Sequence, residues 1–298
     1  MAIFLALVCA VTYGAGDFFG GSAARRVHPF AVGWLSHSLV VFPVAGAAVL
    51  VGAGSVAQRD LLWGAIGGIL GAAALLALYA GLARGPMTIV APTTALVAAS
   101  LPVVVGSVLQ DEYHSDGQWA GIALALIAIV AVSLRPDDGE PAPDDGEPAP
   151  DAGGISLDPT TLGLAVLAGA GFGIFFIALD RTSADAGLWP LVSGRLISAG
   201  LFTALVLTVK PFRQRVITHE LRPNLPIIAA AATLDVAANV FYLLANRRGD
   251  LSTVAVLSSL YPASTIVLAN RVLGERIGRV QAFGMVLAVI AVALVAAG

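Results

Sequence analysis

The sequence predicts an all-α membrane protein of ten transmembrane helices, arranged as two inverted repeats of five helices. The chain of 298 residues is 58% hydrophobic and only 12% charged, whereas soluble domains carry about 25% charged residues. A membrane-crossing helix needs about 20 apolar residues, and runs of that length fill most of the chain. The predicted spans are 1–21, 30–54, 61–83, 87–109, 117–135, 160–180, 187–209, 225–246, 251–273 and 278–297.

A pattern that recurs at a constant offset supports the repeat. Tyr79 and Tyr242 are 163 residues apart, and four further pairs keep this offset. Because each unit holds five segments, the second copy must enter the membrane from the opposite side, which suits a transporter that opens alternately to each side. The other pairs are Arg84 with Arg247, Glu112 with Glu275, Gln118 with Gln281, and Gly121 with Gly284.

The first five spans form a predicted domain over residues 1–135, and Asp17 in the first span is its main candidate for function. An ionised side chain deep in lipid costs about 3 kcal/mol or more, so Asp17 is expected to face the interior of the bundle. Tyr13 precedes it by four residues and shares its helical face. The alternative is that Asp17 lies near the membrane surface, because Gly20, Gly21 and Arg25 follow closely.

Residues 136–158 predict an acidic, proline-rich and disordered linker between the two halves. The segment from Asp137 to Pro143 is repeated directly as Asp144 to Pro150. Such a segment lacks the apolar residues needed for a core, so a solvated tether is favoured over a Ca²⁺ site. The stretch from Asp137 to Asp151 holds seven acids, and without them the formal net charge changes from -3 to +4.

The second five spans form a predicted domain over residues 159–298, and its eighth span carries a polar stripe. Asp235, Asn239, Tyr242 and Asn246 follow one another at spacings of four, three and four, which places them on one helical face. The stripe indicates either a substrate cavity or hydrogen bonds between helices. Arg195 lies inside the seventh span, where it is expected to pair with an internal acid, bind an anionic substrate or extend to the interface.

Prolines interrupt the fourth and ninth predicted spans at corresponding positions, and hydroxyl groups accompany them. Pro92 and Pro102 lie in the fourth span, and Pro262 lies in the ninth. Each proline frees a backbone carbonyl and kinks its helix, and paired interruptions of this kind indicate a transporter binding site. Kinks that serve packing alone are the alternative. The hydroxyl residues expected at the site are Ser258, Ser259 and Tyr261.

Several classes of function have no support in the sequence. The chain has one cysteine, Cys9, and no His or Cys spacing typical of a metal site. A GxxxxGK[ST] loop and an HExxH motif are both absent, so neither an enzyme nor an ATP-driven pump is expected. Neither a cofactor nor a nucleic-acid partner is expected. His37 in the second span is interpreted as a packing residue rather than a proton relay.

The ninth and tenth spans resemble the second repeat of the EamA-like family in the drug/metabolite transporter superfamily. The resemblance rests on Leu257 to Pro262 and on the motif Gly274-Glu275-Arg276 that ends the ninth span. Ala91-Pro92 and Glu112 match the family more loosely in the first half. The resemblance implies an exporter of metabolites, amino acids or drugs, with a cavity lined by the first, third and fourth helices of each repeat.

The sequence leaves the orientation of the chain in the membrane open. Loops after the odd-numbered spans hold eleven Lys and Arg residues and the other loops hold four, so the positive-inside rule places both termini outside the cytoplasm. The family resemblance implies the opposite, with both termini in the cytoplasm.

The sequence therefore predicts a secondary transporter of a small polar metabolite, such as an amino acid, an amine or a drug-like molecule. The alternatives are an exchanger of nucleotide sugars or sugar phosphates, and a channel or non-transporting scaffold. We expect proton coupling at Asp17 or Asp235, because burial favours the neutral form of a carboxyl group. The expected location is the bacterial inner membrane, as a monomer or a homodimer.

Overall fold

A computed structural model describes residues 1–85, 87–110, 112–133, 158–216, 219–273 and 278–297. All regular secondary structure within these ranges is helical. The predicted linker, except for Asp158, and the Gly274-Glu275-Arg276 motif lie outside the described residues.

Thirteen α-helices make up the described part of the chain. In the first half they are α1 (Ala2–Ala24), α2 (Pro29–Leu39), α3 (Val41–Val51), α4 (Gln58–Arg84), α5 (Met87–Leu109) and α6 (Asp116–Ser133). In the second half they are α7 (Pro159–Asp180), α8 (Trp189–Thr208), α9 (Lys210–Val216), α10 (Leu221–Asn246), α11 (Leu251–Ser258), α12 (Tyr261–Leu273) and α13 (Arg279–Ala297).

Eight segments in the described residues are long and apolar enough to cross a membrane. They coincide with the first four predicted spans and with the sixth to the ninth. The fifth and tenth predicted spans correspond to shorter apolar stretches, Asp116–Ala131 in α6 and Ala282–Val295 in α13. With 18 residues and a rise of about 1.5 Å per residue, α6 is about 27 Å long.

Two predicted spans consist of two helices each. The second span breaks at Val40 into α2 and α3, and the ninth breaks after Ser258 into α11 and α12. Pro262 lies in the first turn of α12, where its missing N–H is tolerated. The fourth span differs from the prediction, because α5 is continuous across both Pro92 and Pro102.

Helices from the two halves pack against each other throughout the bundle. The most extensive contacts are those of α1 with α10, α6 with α13, α4 with α7, and α5 with α7. Large apolar side chains such as Phe42, Leu50 and Val289 remain exposed on the outside, as expected for surfaces that face lipid.

The loops group at two opposite faces of the bundle. We call the face with loops 52–57, 112–115, 181–188 and 247–250 the acidic face, since it carries Asp60, Glu112, Asp185 and Asp250. The basic face is the opposite one, and its described cations are Arg25, Arg26, Arg84, Lys210, Arg213, Arg215, Arg222, Arg271 and Arg279.

Candidate functional site

Four side chains form a hydrogen-bonded cluster inside the bundle, where α8, α10 and α1 meet. The Arg195 guanidinium donates to the carboxylate of Asp235. Asn239 Nδ2 donates to the Asp235 carbonyl at 2.8 Å and to its carboxylate at 3.3 Å. The Tyr13 hydroxyl donates to Asn239 Oδ1 at 2.5 Å. This chain of hydrogen bonds links the second half to the first.

The local sequence explains why these groups can meet. Asp235 and Asn239 lie one turn apart on α10, so both face the same neighbours. A Cβ atom on Gly16 would lie 3.4 Å from the Asp235 nitrogen, so a glycine at this position allows α1 to lie close to α10. The side chains of Arg195 and Asp235 are 11% and 13% exposed. Each charge is expensive to bury alone, and pairing offsets much of that cost.

Asp17 is a second buried acid near the cluster, and it differs from Asp235 in its partners. The residue is only 7% exposed. Among the described residues, neither a hydrogen bond nor an ion pair engages its carboxyl group. Asp235 is near enough to act on it electrostatically. Of the two acids, only Asp235 has a cationic partner.

Two small cavities flank Asp235, and Phe172 lines both of them. The first has about 30 Å³ open to the centre of a water molecule and is lined by residues that include His37, Gly68, Arg195 and Asp235. The second has about 20 Å³ and is lined by Tyr13, Asp17, Ala98, Phe172, Phe176, Asp235 and Tyr261. A water needs about 10–15 Å³ on this measure. Each cavity therefore holds one or two waters in this conformation and is too small for a metabolite.

The structure brings some of the predicted site residues together and separates others. Tyr13, Asp17, Arg195, Asp235, Asn239 and Tyr261 line the two cavities. Tyr242 lines neither; it is fully buried and stacks on Phe176 with ring centroids 4.1 Å apart. Ser258 and Ser259 are buried where α11 gives way to α12, and they also line neither cavity.

The predicted prolines have different surroundings in the two halves. Next to Pro92, the carbonyl of Ala91 accepts a hydrogen bond from the Tyr261 hydroxyl at 3.0 Å. This bond joins α5 of the first half to α12 of the second half, beside Pro262. The two proline regions are therefore in direct contact.

Sequence reasoning missed the aromatic walls and a glycine contact. Phe172, Phe175 and Phe176 of α7 line the cavities, but apolar residues in a span carry no signal of their own. The spacing of Gly64, Gly68 and Gly71 in α4 is the one sequence signal that could have predicted the close helix packing.

The glycine contact forms part of the wall of the first cavity. A Cβ atom on Gly68 would overlap the backbone of Gly194, and one on Gly64 would overlap the carbonyl of Pro190. Ser193 Oγ also donates to the Leu61 carbonyl at 2.7 Å. The N-terminal halves of α4 and α8 are therefore in backbone contact, and only glycine fits at these two positions of α4.

Hydrogen bonds also join the two halves across the acidic face. Glu112 accepts hydrogen bonds from Leu251 N at 2.7 Å, from Ser252 N at 3.2 Å and from the Ser252 hydroxyl at 2.5 Å. Asp60 accepts from Ser183 N at 2.8 Å. Gln110 donates to Asp180 at 2.8 Å. Each of these bonds joins the first half to the second.

Arg247 completes the acidic face. It donates to the carbonyls of Gly187 and Ser183 at 2.5 and 3.2 Å. Burial lowers the pKa of Arg247, and the charge of Asp60 opposes that shift. The guanidinium therefore acts here as a backbone clamp for the loop 181–188.

The halves meet at the basic face through aromatic side chains. Phe30 stacks on Phe212 with centroids 4.4 Å apart and meets Phe202 edge-on at 5.4 Å. Trp34 Nε1 donates to Thr203 Oγ1 at 3.2 Å. His28 caps α2 by accepting from Phe30 N at 3.1 Å. Burial lowers the pKa of His28, as do the nearby charges of Arg215 and Arg84.

Comparison with known proteins identifies the second half of the chain. Residues 160–297 match the EamA-like transporter family. The chain carries an EamA-like domain. The family resemblance expected from the sequence is thereby confirmed for these residues, and together with the eight apolar segments the match supports an integral membrane protein.

A solved structure shares the fold of this chain. One crystal structure superposes with a TM-score of 0.71 over 98% of this chain and 95% of the other, at 17% identity. At that identity the likeness shows the fold alone. The comparison with curated proteins finds no match.

Proposed function

We propose that this EamA-like protein is a secondary transporter that moves a small polar metabolite by alternating access between two five-helix halves. The observation that carries the proposal is the cluster of Arg195, Asp235, Asn239 and Tyr13, which links both halves deep in the bundle. Ionisable groups inside a membrane bundle are costly and mark substrate or ion pathways. The setting is proposed to be the bacterial inner membrane.

The pattern of helix contacts supports two inverted repeats, residues 1–135 and 159–298, joined by the linker 136–158. In such an arrangement α1 corresponds to α7 and α4 corresponds to α10. The contact of α1 with α10 then has its counterpart in that of α7 with α4, and both are extensive. The contact of α5 with α7 likewise corresponds to that of α12 with α1. These matched pairs favour a pseudo-twofold axis in the membrane plane.

The conformation suits the closed stage of such a cycle. Backbone contact between α4 and α8 joins the two halves near the acidic face, and the two cavities at Asp235 hold only water-sized spaces. A substrate therefore enters only after the halves separate and the cavities merge around Phe172. All cluster residues come from one chain, so a monomer suffices.

The chemistry of the cluster supports a substrate with at least one charged group. Arg195 and Asp235 satisfy each other when the cavity is empty. A substrate ammonium group can replace the guanidinium at Asp235, and a substrate carboxylate can replace Asp235 at Arg195. An amine or an amino acid meets these requirements, and proton uptake by Asp17 or Asp235 supplies a coupling ion.

Counterflow in proteoliposomes tests the proposal. Vesicles are loaded with amines, amino acids or sugar phosphates, and uptake of the labelled compound is followed for wild type, for Arg195→Gln and for Arg248→Gln. Arg248 is exposed and is the matched control. We expect saturable counterflow that Arg195→Gln lowers at least tenfold and Arg248→Gln preserves. Flux without saturation would indicate a channel, and the absence of any flux would contradict transport.

A further inference from the structure

We propose that Asp17, and not Asp235, binds the cationic centre of the substrate, and that the substrate is a monovalent amine with a flat apolar body. This inference rests on the proposed function and narrows its substrate class. Its basis is the contrast between two neighbouring acids, of which one has a cationic partner and the other faces a cavity without one.

Charge balance is the first step. The Arg195–Asp235 pair is neutral as a unit, so it adds no net charge to the site. Asp17 is 7% exposed and has neither hydrogen bond nor ion pair within the described residues. An ionised carboxyl in this position is costly unless a cation joins it. The empty site therefore favours a protonated Asp17, and the loaded site pairs the carboxylate with one positive charge.

Within the part of the chain that the structure describes, no cation contacts Asp17 directly. From α10 it faces Asp235, behind which lies Arg195 of α8, and Tyr13 precedes it by one turn on α1. Tyr79 of α4 and Tyr261 of α12 are the remaining titratable groups near it. All three tyrosines are neutral in a buried, apolar setting. An incoming ammonium group thus has no positive neighbour to repel it.

The walls of the second cavity suit an aromatic or other flat body. Tyr13 lies between Tyr261 and Phe176, with ring centroids 6.3 Å from each, and Phe172 completes the wall. Aromatic faces attract cations and pack against flat apolar groups. A carboxyl group and four aromatic rings around one cavity are complementary to an arylalkylamine.

Charge counting disfavours a zwitterion at the same site. The carboxylate of an amino acid would need Arg195, which would have to leave Asp235. Asp235 would then be an unpaired buried acid close to Asp17. Breaking a buried ion pair by removing one partner strongly destabilises the protein. A monocation leaves the Arg195–Asp235 pair intact. Exchange of one proton on Asp17 for one monocation moves no net charge.

The test measures binding and proton release on the purified full chain by titration calorimetry. The probes are phenethylamine, its carboxylated analogue phenylalanine and the uncharged analogue phenethyl alcohol. Titrations in two buffers of different ionisation enthalpy give the number of protons released. The variants are Asp17→Asn, Asp17→Glu and the control Asp185→Asn, which alters an exposed acid on the acidic face.

We expect phenethylamine to bind wild type and Asp185→Asn at least tenfold more tightly than either analogue, with up to one proton released per amine. Asp17→Asn is expected to lose the proton release and at least tenfold in affinity, and Asp17→Glu to keep proton release. A structural role for Asp17 would not move the proton count, so this readout separates the two.

Three results would overturn the inference. They are proton release that persists in Asp17→Asn, tighter binding of phenylalanine than of phenethylamine, and no binding of the amine by folded wild type. None of these would contradict transport itself, which the counterflow of other compounds tests separately. Conversely, amine binding without counterflow would contradict the proposed function and leave the Asp17 site standing.

Discussion

The two ends of α8 make contacts of opposite character with the first half of the chain. At the acidic face, Gly194 meets Gly68 backbone to backbone. At the basic face, Phe202 and Thr203 meet Phe30 and Trp34 through side chains. A contact between backbones can change only if a whole helix moves, whereas a contact between side chains can adjust by a change of rotamer. The comparison indicates that the acidic end closes all or none and that the basic end can adapt.

The ion pair between these two ends gives the largest expected effect. Removing one partner of a buried pair costs about 3–5 kcal/mol, and we expect the lower part of that range because both side chains are slightly exposed. Asp235→Asn and Arg195→Gln should each lower stability by about 3 kcal/mol, measured by denaturant unfolding in detergent. The double variant should lose less stability than the sum of the losses in the two single variants. Strict additivity of the two losses would contradict the pairing of Arg195 with Asp235.

The glycine contact gives the next largest effect. Gly68→Ala places a methyl group against the Gly194 backbone, and such overpacking costs about 1–3 kcal/mol. If this cost falls on the closed state, counterflow should drop about tenfold or more. Alkylation of Ser198→Cys, in a Cys9→Ala background, should become faster from the acidic face.

Gly200→Ala is the control for that experiment, because Gly200 lies on α8, the partner helix of the contact, and a Cβ there meets nothing within 4 Å. It should transport like wild type. Equal transport activity of Gly68→Ala and Gly200→Ala would contradict the interpretation that the acidic end closes all or none.

Glu112 tests the polar part of the acidic end. Glu112→Gln weakens three hydrogen bonds to the start of α11, and bonds to a charged group contribute about 1.5–3 kcal/mol. We expect a loss of about 1–2 kcal/mol, because the amide oxygen still accepts. Asp250→Asn is the control, since the Asp250 side chain makes no cap hydrogen bond. A thermal shift equal in both variants would argue against the Glu112 contact.

Trp34 tests the adaptable end. Trp34→Phe removes one neutral hydrogen bond to Thr203 and keeps an aromatic ring. The expected loss is about 0.5–1.5 kcal/mol, with transport reduced less than twofold. Thr203→Val should cause the same loss of stability as Trp34→Phe, and the double variant should be little less stable than either single variant. A tenfold loss of transport would show that the basic end is as rigid as the acidic one.

His28 gives the smallest effect, and it depends on pH. Its pKa is lowered in the folded protein by burial and by Arg215 and Arg84, so protonation favours the unfolded chain. The contribution of His28 to stability is present above its unfolded pKa of about 6.5 and is lost as the pH falls. His28→Asn keeps a cap acceptor without a titration. The melting temperature of wild type should fall slightly more than that of the variant between pH 7.5 and 5.5.

The sequence predicted the charged part of the site better than its shape. Asp235 and Arg195 stand out because charges inside apolar spans are rare, and the spacing of four to Asn239 placed two groups on one face. The glycine contact joins residues about 126 positions apart, and no local pattern reports such a distance.

The placement of Ser258 and Ser259 in the site stays a prediction. Ser258 and Ser259 accompany a helix break, as Pro262 suggested, but they are packed inside the bundle and line neither cavity. A proline marks where backbone bonding changes, and it does not tell which side the neighbouring hydroxyls face. Pro92 and Pro102 show the same limit, because α5 passes through both without a break.

Gly194 and Arg195 are consecutive residues of α8, and in the proposed mechanism this adjacency couples ligand binding to the contact at the acidic face. A cation at Asp17 lies beside Asp235, whose partner Arg195 is one residue from the backbone contact, so no relay through distant side chains is required. Such coupling is reciprocal in free energy. A ligand that shifts the opening equilibrium by some factor must bind the open and closed states with affinities that differ by the same factor.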